Sequence, residues 1–262
     1  MPEPTEEDVL TAFERENIPR HYKQYYSTKR HNFFASIQQF SYVWKCFVQL
    51  DEILECEFEL MNNLNDPNLM LPMMLFMNGH AKMRVAFELA CSSCLTEGNS
   101  ILRDAIESVA HGRRIALEPA LHQAWIEKGE GPISLKTFKH EFEYEKASRV
   151  FNGLPELHDL WKQFSEFGSH TNLNSIVNRF HIDRTESHLV YGFDYSGAKT
   201  EVAVPMLFEM ILAFWLMENA IYSICESRLK LDLRLPDLRS RFEKEKEQVR
   251  QHIIQKFNIR RA

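Results

Sequence analysis

Asn99-Ser-Ile-Leu-Arg-Asp-Ala-Ile-Glu-Ser-Val-Ala-His-Gly-Arg-Arg-Ile-Ala-Leu117 reads as one amphipathic helix, and it sets the class of the whole chain. Leu102, Ala105, Ile106, Val109, Ala110, Ala116 and Leu117 fall on one stripe at helical spacing. Gly98 is expected to end the preceding helix, and Asn99 or Ser100 to cap this one. Arg103, Glu107 and His111 recur every fourth residue beside the stripe, which puts a cation, an anion and an imidazole on neighbouring turns. The plain alternative for that row is a solvated flank with an ordinary Arg–Glu pair.

Around this segment the sequence is helical almost throughout. With 44% apolar residues, 19 Phe, 9 Gly and 10 Pro among 262, the chain can build a large core and has too few turn formers for an all-β fold. From His31 to Leu64 the residues Phe33, Ile37, Phe40, Trp44, Phe47, Leu54, Phe58 and Met61 follow a three–four alternation, which predicts one long helix packed as in a coiled coil. Asp51 occupies the one seam position that is not apolar; exposure at a gap in the packing is the favoured reading, pairing with a cation on a neighbouring helix the other. Asp66-Pro67 is a helix start, with the regular helix beginning after Pro72 and running to about Leu95. Met70, Met73, Met74 and Met77 are read as core, with a binding groove as the lesser reading.

Shorter helices follow Pro119, Ser134 and Pro155, the last stopped by Gly168. The period then changes to two. Ile176, Asn178, Phe180 and Ile182 alternate with polar residues, as do Leu189, Tyr191, Phe193 and Tyr195, which predicts a β-hairpin insertion near 175–195 with a turn at Asp183–Ser187. Pro205–Cys225 is long enough to cross a bilayer, but Glu209 and Glu218 sit on opposite faces of it, so a helix buried in protein is expected. The expected fold is therefore mainly α: a helical bundle with a long antiparallel helix pair and that hairpin. Its parts are a polar segment at 1–30 with a Tyr-rich patch, a bundle at 31–235, and a charged amphipathic helix at 236–262 that needs a partner surface.

Five cysteines and an acidic start without an apolar leader fit reduced thiols in a cytoplasm. Cys91-Ser-Ser-Cys94 stands alone, without a second pair, and reads as two buried thiols. No metal-binding, phosphate-loop or nucleophile-elbow motif occurs, so neither metal nor cofactor is expected. A net charge of −6 gives no support to nucleic acid or nucleotide as a partner, though a local basic patch leaves both open. Ser169-His170-Thr171-Asn172 sets four hydrogen-bonding side chains just after a helix stop.

Ile101-Leu-Arg-Asp-Ala-Ile-Glu107, with Phe164-Ser-Glu-Phe-Gly-Ser-His-Thr-Asn172 downstream, resembles a group of bacterial all-helical proteins that are distant relatives of the HEPN superfamily. The resemblance covers about residues 70–175. It implies a helical bundle, self-association as a homodimer, and Arg103, Glu107 and His170 as a polar cluster. The Arg and His of active HEPN ribonucleases stand four to six residues apart, and Arg103 and His111 depart from that spacing. The leading expectation is thus a non-catalytic helical binding or interaction protein that self-associates, with no membrane partner. The alternative is a HEPN-like, metal-independent ribonuclease or nucleotide-acting enzyme using Arg103, Glu107, His111, His170 and Asn172.

Overall fold

The structure, a computed structural model, describes residue 11 and residues 16–61, 66–142, 147–168, 180–184, 189–193 and 200–257. The helices are α1 (Arg20–Gln39), α2 (Ser41–Met61), α3 (Pro67–Cys91), α4 (Leu95–Leu117), α5 (Leu121–Ile126), α6 (Pro132–Phe142), α7 (Ala147–Val150), α8 (Pro155–Gly168), α9 (Thr200–Leu229) and α10 (Arg234–Phe257). The chain is mainly helical, and these helices form a bundle. Strands β1 (Phe180–Arg184) and β2 (Leu189–Phe193) pair antiparallel, with Phe180 opposite Phe193. Residues 169–179, 185–188 and 194–199 lie outside the described residues, and the placement of a hairpin insertion in the bundle lies outside them too.

The packing centres on α4 and α9. Helix α4 runs antiparallel to α3 and also touches α8 and α9, while α9 touches α2, α3, α4, α8 and α10. The antiparallel sense follows from glycine contacts: Gly98 lies against the backbone of Ala86 and Ala90, and Gly112 against Phe76 and the backbone of Pro72. A Cβ at position 98 would stand 2.9 Å from the Ala86 carbonyl oxygen, and one at 112 would stand 2.7 Å from the Phe76 ring. Only a residue without a Cβ lets the two backbones approach so closely. Gly98→Ala is therefore expected to lower unfolding free energy in urea by about 1–3 kcal/mol, despite the better helix propensity of alanine. An unchanged unfolding midpoint would contradict this.

Several predicted boundaries need correction. Gly98 does not end a helix, and Asn99 does not cap one: α4 begins at Leu95, Asn99 is buried within it, and the turn from α3 is made at Ser92–Cys94, with Ser93 at a φ of 63°. The glycine was conserving space rather than breaking a helix. Pro72 does not delay α3, which starts at Pro67 with Asp66 accepting from the Asn68 N–H at 2.9 Å and carries Pro72 inside it. The single long helix from His31 to Leu64 is broken at Phe40, whose φ of −117° and ψ of 38° redirect the chain. The first part belongs to α1, which begins at Arg20 and is tied to the end of α3 by the Ser36 hydroxyl donating to the Cys91 carbonyl at 2.7 Å. A periodic apolar seam cannot reveal one residue leaving helical geometry without breaking the period.

The core is aromatic where α2, α3 and α9 meet: Phe47 stacks on Phe87 with ring centres 4.0 Å apart, flanked by Trp44 and Phe214. Helix α9 has the length and composition of a membrane span, but 56% of that stretch is buried inside the protein, against the neighbouring helices. The charged tail finds its partner surface within the chain, since α10 buries Leu235, Phe242, Val249 and Ile253 and packs on α2.

Candidate functional site

Helix α8 brings one polar cluster to α4. Its apolar face, with Leu157, Trp161 and Phe164 buried, docks on α4 and carries the Trp161 indole with it. Glu107 Oε1 accepts from Arg103 Nε at 3.0 Å and from Trp161 Nε1 at 2.9 Å, and the Arg103 guanidinium lies 5.6 Å over the Trp161 ring. The row on α4 thus holds Arg103 and Glu107 together and adds Trp161, which the sequence shows only as an apolar-face residue. Nothing local marks an indole N–H as the donor to a carboxylate 54 positions earlier.

His111 goes elsewhere. One turn further along, His111 faces the rings of Phe138 and Phe142 on α6. Its Nδ1 accepts from Trp125 Nε1 at 3.4 Å. Burial, reinforced by the nearby Lys128 charge, pushes its pKa down to about 4, so the ring is neutral at pH 7. His170 and Asn172 lie outside the described residues. Of the five residues expected to converge, the structure therefore joins Arg103 with Glu107 and sends His111 into a separate apolar pocket.

A second cluster pins α2 to α3. Asp51 is not exposed at a packing gap: the Arg84 fork donates to both of its oxygens, each at 2.8 Å, and His80 Nε2 lies 2.7 Å from Oδ1. This is the cation pairing that the sequence reading set second. Arg84 also donates to Glu55 at 2.6 Å. Burial raises the Asp51 carboxyl, but the hydrogen bonds from His80 and Arg84 outweigh it and hold the group down at about 2. The carboxylate is ionised at neutral pH, so His80 Nε2 must carry the proton between them. Chemically this is a closed ion cluster rather than a poised acid–base pair, because each member is held by another.

A third cluster joins α2, α9 and α10. Glu57 on α2 and Glu218 on α9 are both fully buried, and one cation, Arg239 on α10, serves them. Arg239 donates to Glu218 Oε1 and, at 2.7 Å, to Asn219 Oδ1, and its Nη1 stands 3.7 Å from Glu57 Oε1. The guanidinium lies over Trp215 at 4.7 Å and Tyr222 at 4.2 Å. Both Glu57 oxygens and Glu218 Oε2 lack a hydrogen-bond partner. Burial pushes the Glu57 carboxyl well above the usual carboxylate range, with Arg239 opposing it. Burial thus favours the protonated, neutral form of Glu57, since an uncompensated anion in the interior costs far more than a neutral acid. A signal for this existed in the sequence: Glu218 inside a helix apolar nearly all round calls for a buried cation.

Among the described residues no group of three or more His, Cys, Asp or Glu side chains is placed to hold a metal ion. The cysteines are buried free thiols, and burial raises those of Cys46 and Cys91 to about 12. They are therefore unreactive at neutral pH.

The methionine group needs correction. Met70, Met74 and Met77, spaced one turn apart on α3, are 63%, 60% and 45% exposed, and only Met73 packs against the core. Helix α3 turns Leu71, Leu75 and Phe76 inward and leaves the methionines outside. No known protein family, curated protein or solved structure matches the chain.

Proposed function

We propose that this chain is a non-catalytic helical binding protein that self-associates through the outer face of α3. The carrying observation is the exposed Met70–Met74–Met77 row. Methionine is flexible and polarizable, which suits a surface that moulds itself to a partner, and contiguous exposed apolar side chains mark such surfaces. Pro67–Gly79 contains no charged residue, so a second copy laid on the same face by a two-fold axis meets neither repulsion nor an unmatched charge. A partner of strong opposite charge would find nothing there to recognise.

The polar clusters support binding over catalysis. The Arg103 guanidinium is engaged by Glu107 and Trp161, whereas the HEPN-like ribonuclease reading needs it turned to a phosphate. His111, one of the two imidazoles named for that chemistry, is neutral and faces aromatic rings. Buried free thiols support a reducing compartment such as the cytoplasm.

Light scattering on the full chain tests the reading. The wild type is expected to run at twice 30.9 kDa at micromolar concentration, and the Met70→Glu/Met74→Glu variant at the single mass with its helical content intact. Surface changes of this kind alter stability by only about 0.5 kcal/mol, so loss of assembly would report the interface. A wild type that stays monomeric, or a variant that still assembles, overturns the proposal.

A further inference from the structure

Helices α4, α8 and α9, with the turn that leads into α8, border a cleft of about 350 Å³. Small-molecule sites run from about 300 to 1,000 Å³. Most of the lining is apolar: Leu154, Pro155, Leu157, Leu216 and Ala220. The cation in it is Arg113 of α4, which is half-buried. Its Nη1 donates to the Asn152 carbonyl at 2.7 Å. Its Nε is buried without an acceptor. Burial pushes its pKa down, and no anion opposes the shift. Other arginines are answered differently: Arg84 meets Asp51, Arg114 meets Glu141 and Arg239 meets Glu218. Among the described residues no carboxylate pairs with Arg113. Gly153, at a φ of 75°, brings backbone up to the guanidinium, and a Cβ there would stand 3.3 Å from Nη2. A charge drawn out of water without a counter-ion is costly, and a bound anion would offset that cost.

From this cleft we infer a binding site for a small carboxylic acid with an apolar body. The carboxylate pairs with Arg113, whose planar fork matches two oxygens, and the body lies on the leucine and proline lining. The remaining polar groups set the charge of the ligand. Glu156, which is exposed, borders the same cleft and partly offsets the cation. One negative charge is therefore accommodated better than a phosphate dianion or a polyanion. Asn219 is committed on both sides, donating to the Trp215 carbonyl and accepting from Arg239. The Ser223 hydroxyl donates to the Ala220 carbonyl. Arg113 is thus the anchor. None of the lining residues belongs to α3, so the inference stands or falls independently of self-association.

Calorimetric titration of the full chain with phenylacetate and with hexanoate tests it. At least one acid is expected to bind with a Kd below about 1 mM. The matching neutral amide, phenylacetamide or hexanamide, should bind about tenfold more weakly, since the charge-assisted bonds are lost. Arg113→Met should weaken the acid by a similar factor, and Arg113→Lys should lose less, keeping the charge without the fork. Glu156→Gln should tighten binding by removing a like charge. Arg113 also holds the Asn152 carbonyl, so a second variant separates binding from the geometry of that turn. Ser223→Trp, at an exposed position on the lining, obstructs the cleft and leaves Arg113 in place. It should abolish binding while circular dichroism and the urea midpoint stay those of the wild type. No binding of either acid at millimolar concentration, or equal binding of acid and amide, would overturn the inference. So would binding untouched by both Arg113→Met and Ser223→Trp, weaker binding by Glu156→Gln, or inorganic phosphate binding more tightly than either acid.

Discussion

Arg239→Ala is expected to lower the unfolding free energy by about 3–5 kcal/mol at neutral pH, the cost of stripping the partner from a buried ion pair. Among the described residues Arg239 is the only cation paired with Glu57 or Glu218, and both acids are fully buried. Without it, Glu218 must stay ionised in the interior or take up a proton of its own. The first choice costs electrostatic energy and the second is paid for by pH. The penalty should therefore shrink as the pH is lowered and both carboxyls protonate. Arg239→Met separates charge from packing, because its unbranched stem still covers Trp215 and Tyr222. Urea unfolding of R239M, E218Q and the double variant forms a cycle. If charge pairing dominates, the double variant should recover most of what R239M loses. A loss below about 1 kcal/mol for Arg239→Ala would mean that water reaches the pair.

The bundle was legible in the sequence because apolar periodicity reports which face of a helix is buried, and the α4 stripe of Leu102, Ile106 and Val109 is indeed fully buried. What periodicity omits is the identity of the neighbour. Arg103 and Glu107 are four residues apart and meet on their own helix, so their pairing could be read locally, whereas Trp161 arrives from α8 and could not. His111 continues the same row by spacing, yet it meets Trp125 and Phe142, and the imidazole enters an aromatic pocket instead of a polar one. Asp51 shows the same limit. A charge in an apolar seam admits two explanations, and only the arrival of His80 and Arg84 from α3 decides between them. The methionines failed for another reason. Met is equally at home inside and outside, so its composition says little about burial unless the opposite face is weighed, and here Leu71, Leu75 and Phe76 already supply the core side. His170 and Asn172 lie outside the described residues, so the structure leaves that half of the expected constellation as the sequence had it.

A second large effect is expected from the proton that buried Glu57 retains: stability should fall as pH rises through neutrality, and Glu57→Gln should flatten that fall. The sign follows from proton binding. Burial raises the folded-state pKa of Glu57 above its ordinary 4.5, so the folded chain holds a proton that the unfolded chain has released. Such a group contributes fully below the unfolded value and loses its contribution as pH climbs through the folded one, at no more than about 1.4 kcal/mol per pH unit for a single proton. Other groups act in neighbouring windows. Asp51, held at about 2 against an ordinary 3.8, adds stability that is lost as the pH falls through that range. His111, pushed from 6.5 to about 4 by burial, makes stability rise with pH between those values and so masks Glu57 there. The raised thiols of Cys46 and Cys91 add their own decline only above 9. Between pH 6.5 and 9 the difference between wild type and E57Q therefore isolates the buried carboxyl. Across that interval the urea midpoint of the wild type should fall while that of E57Q stays level, so that the variant gains relative to the wild type towards alkaline pH, whereas parallel curves would show that folded Glu57 holds no extra proton.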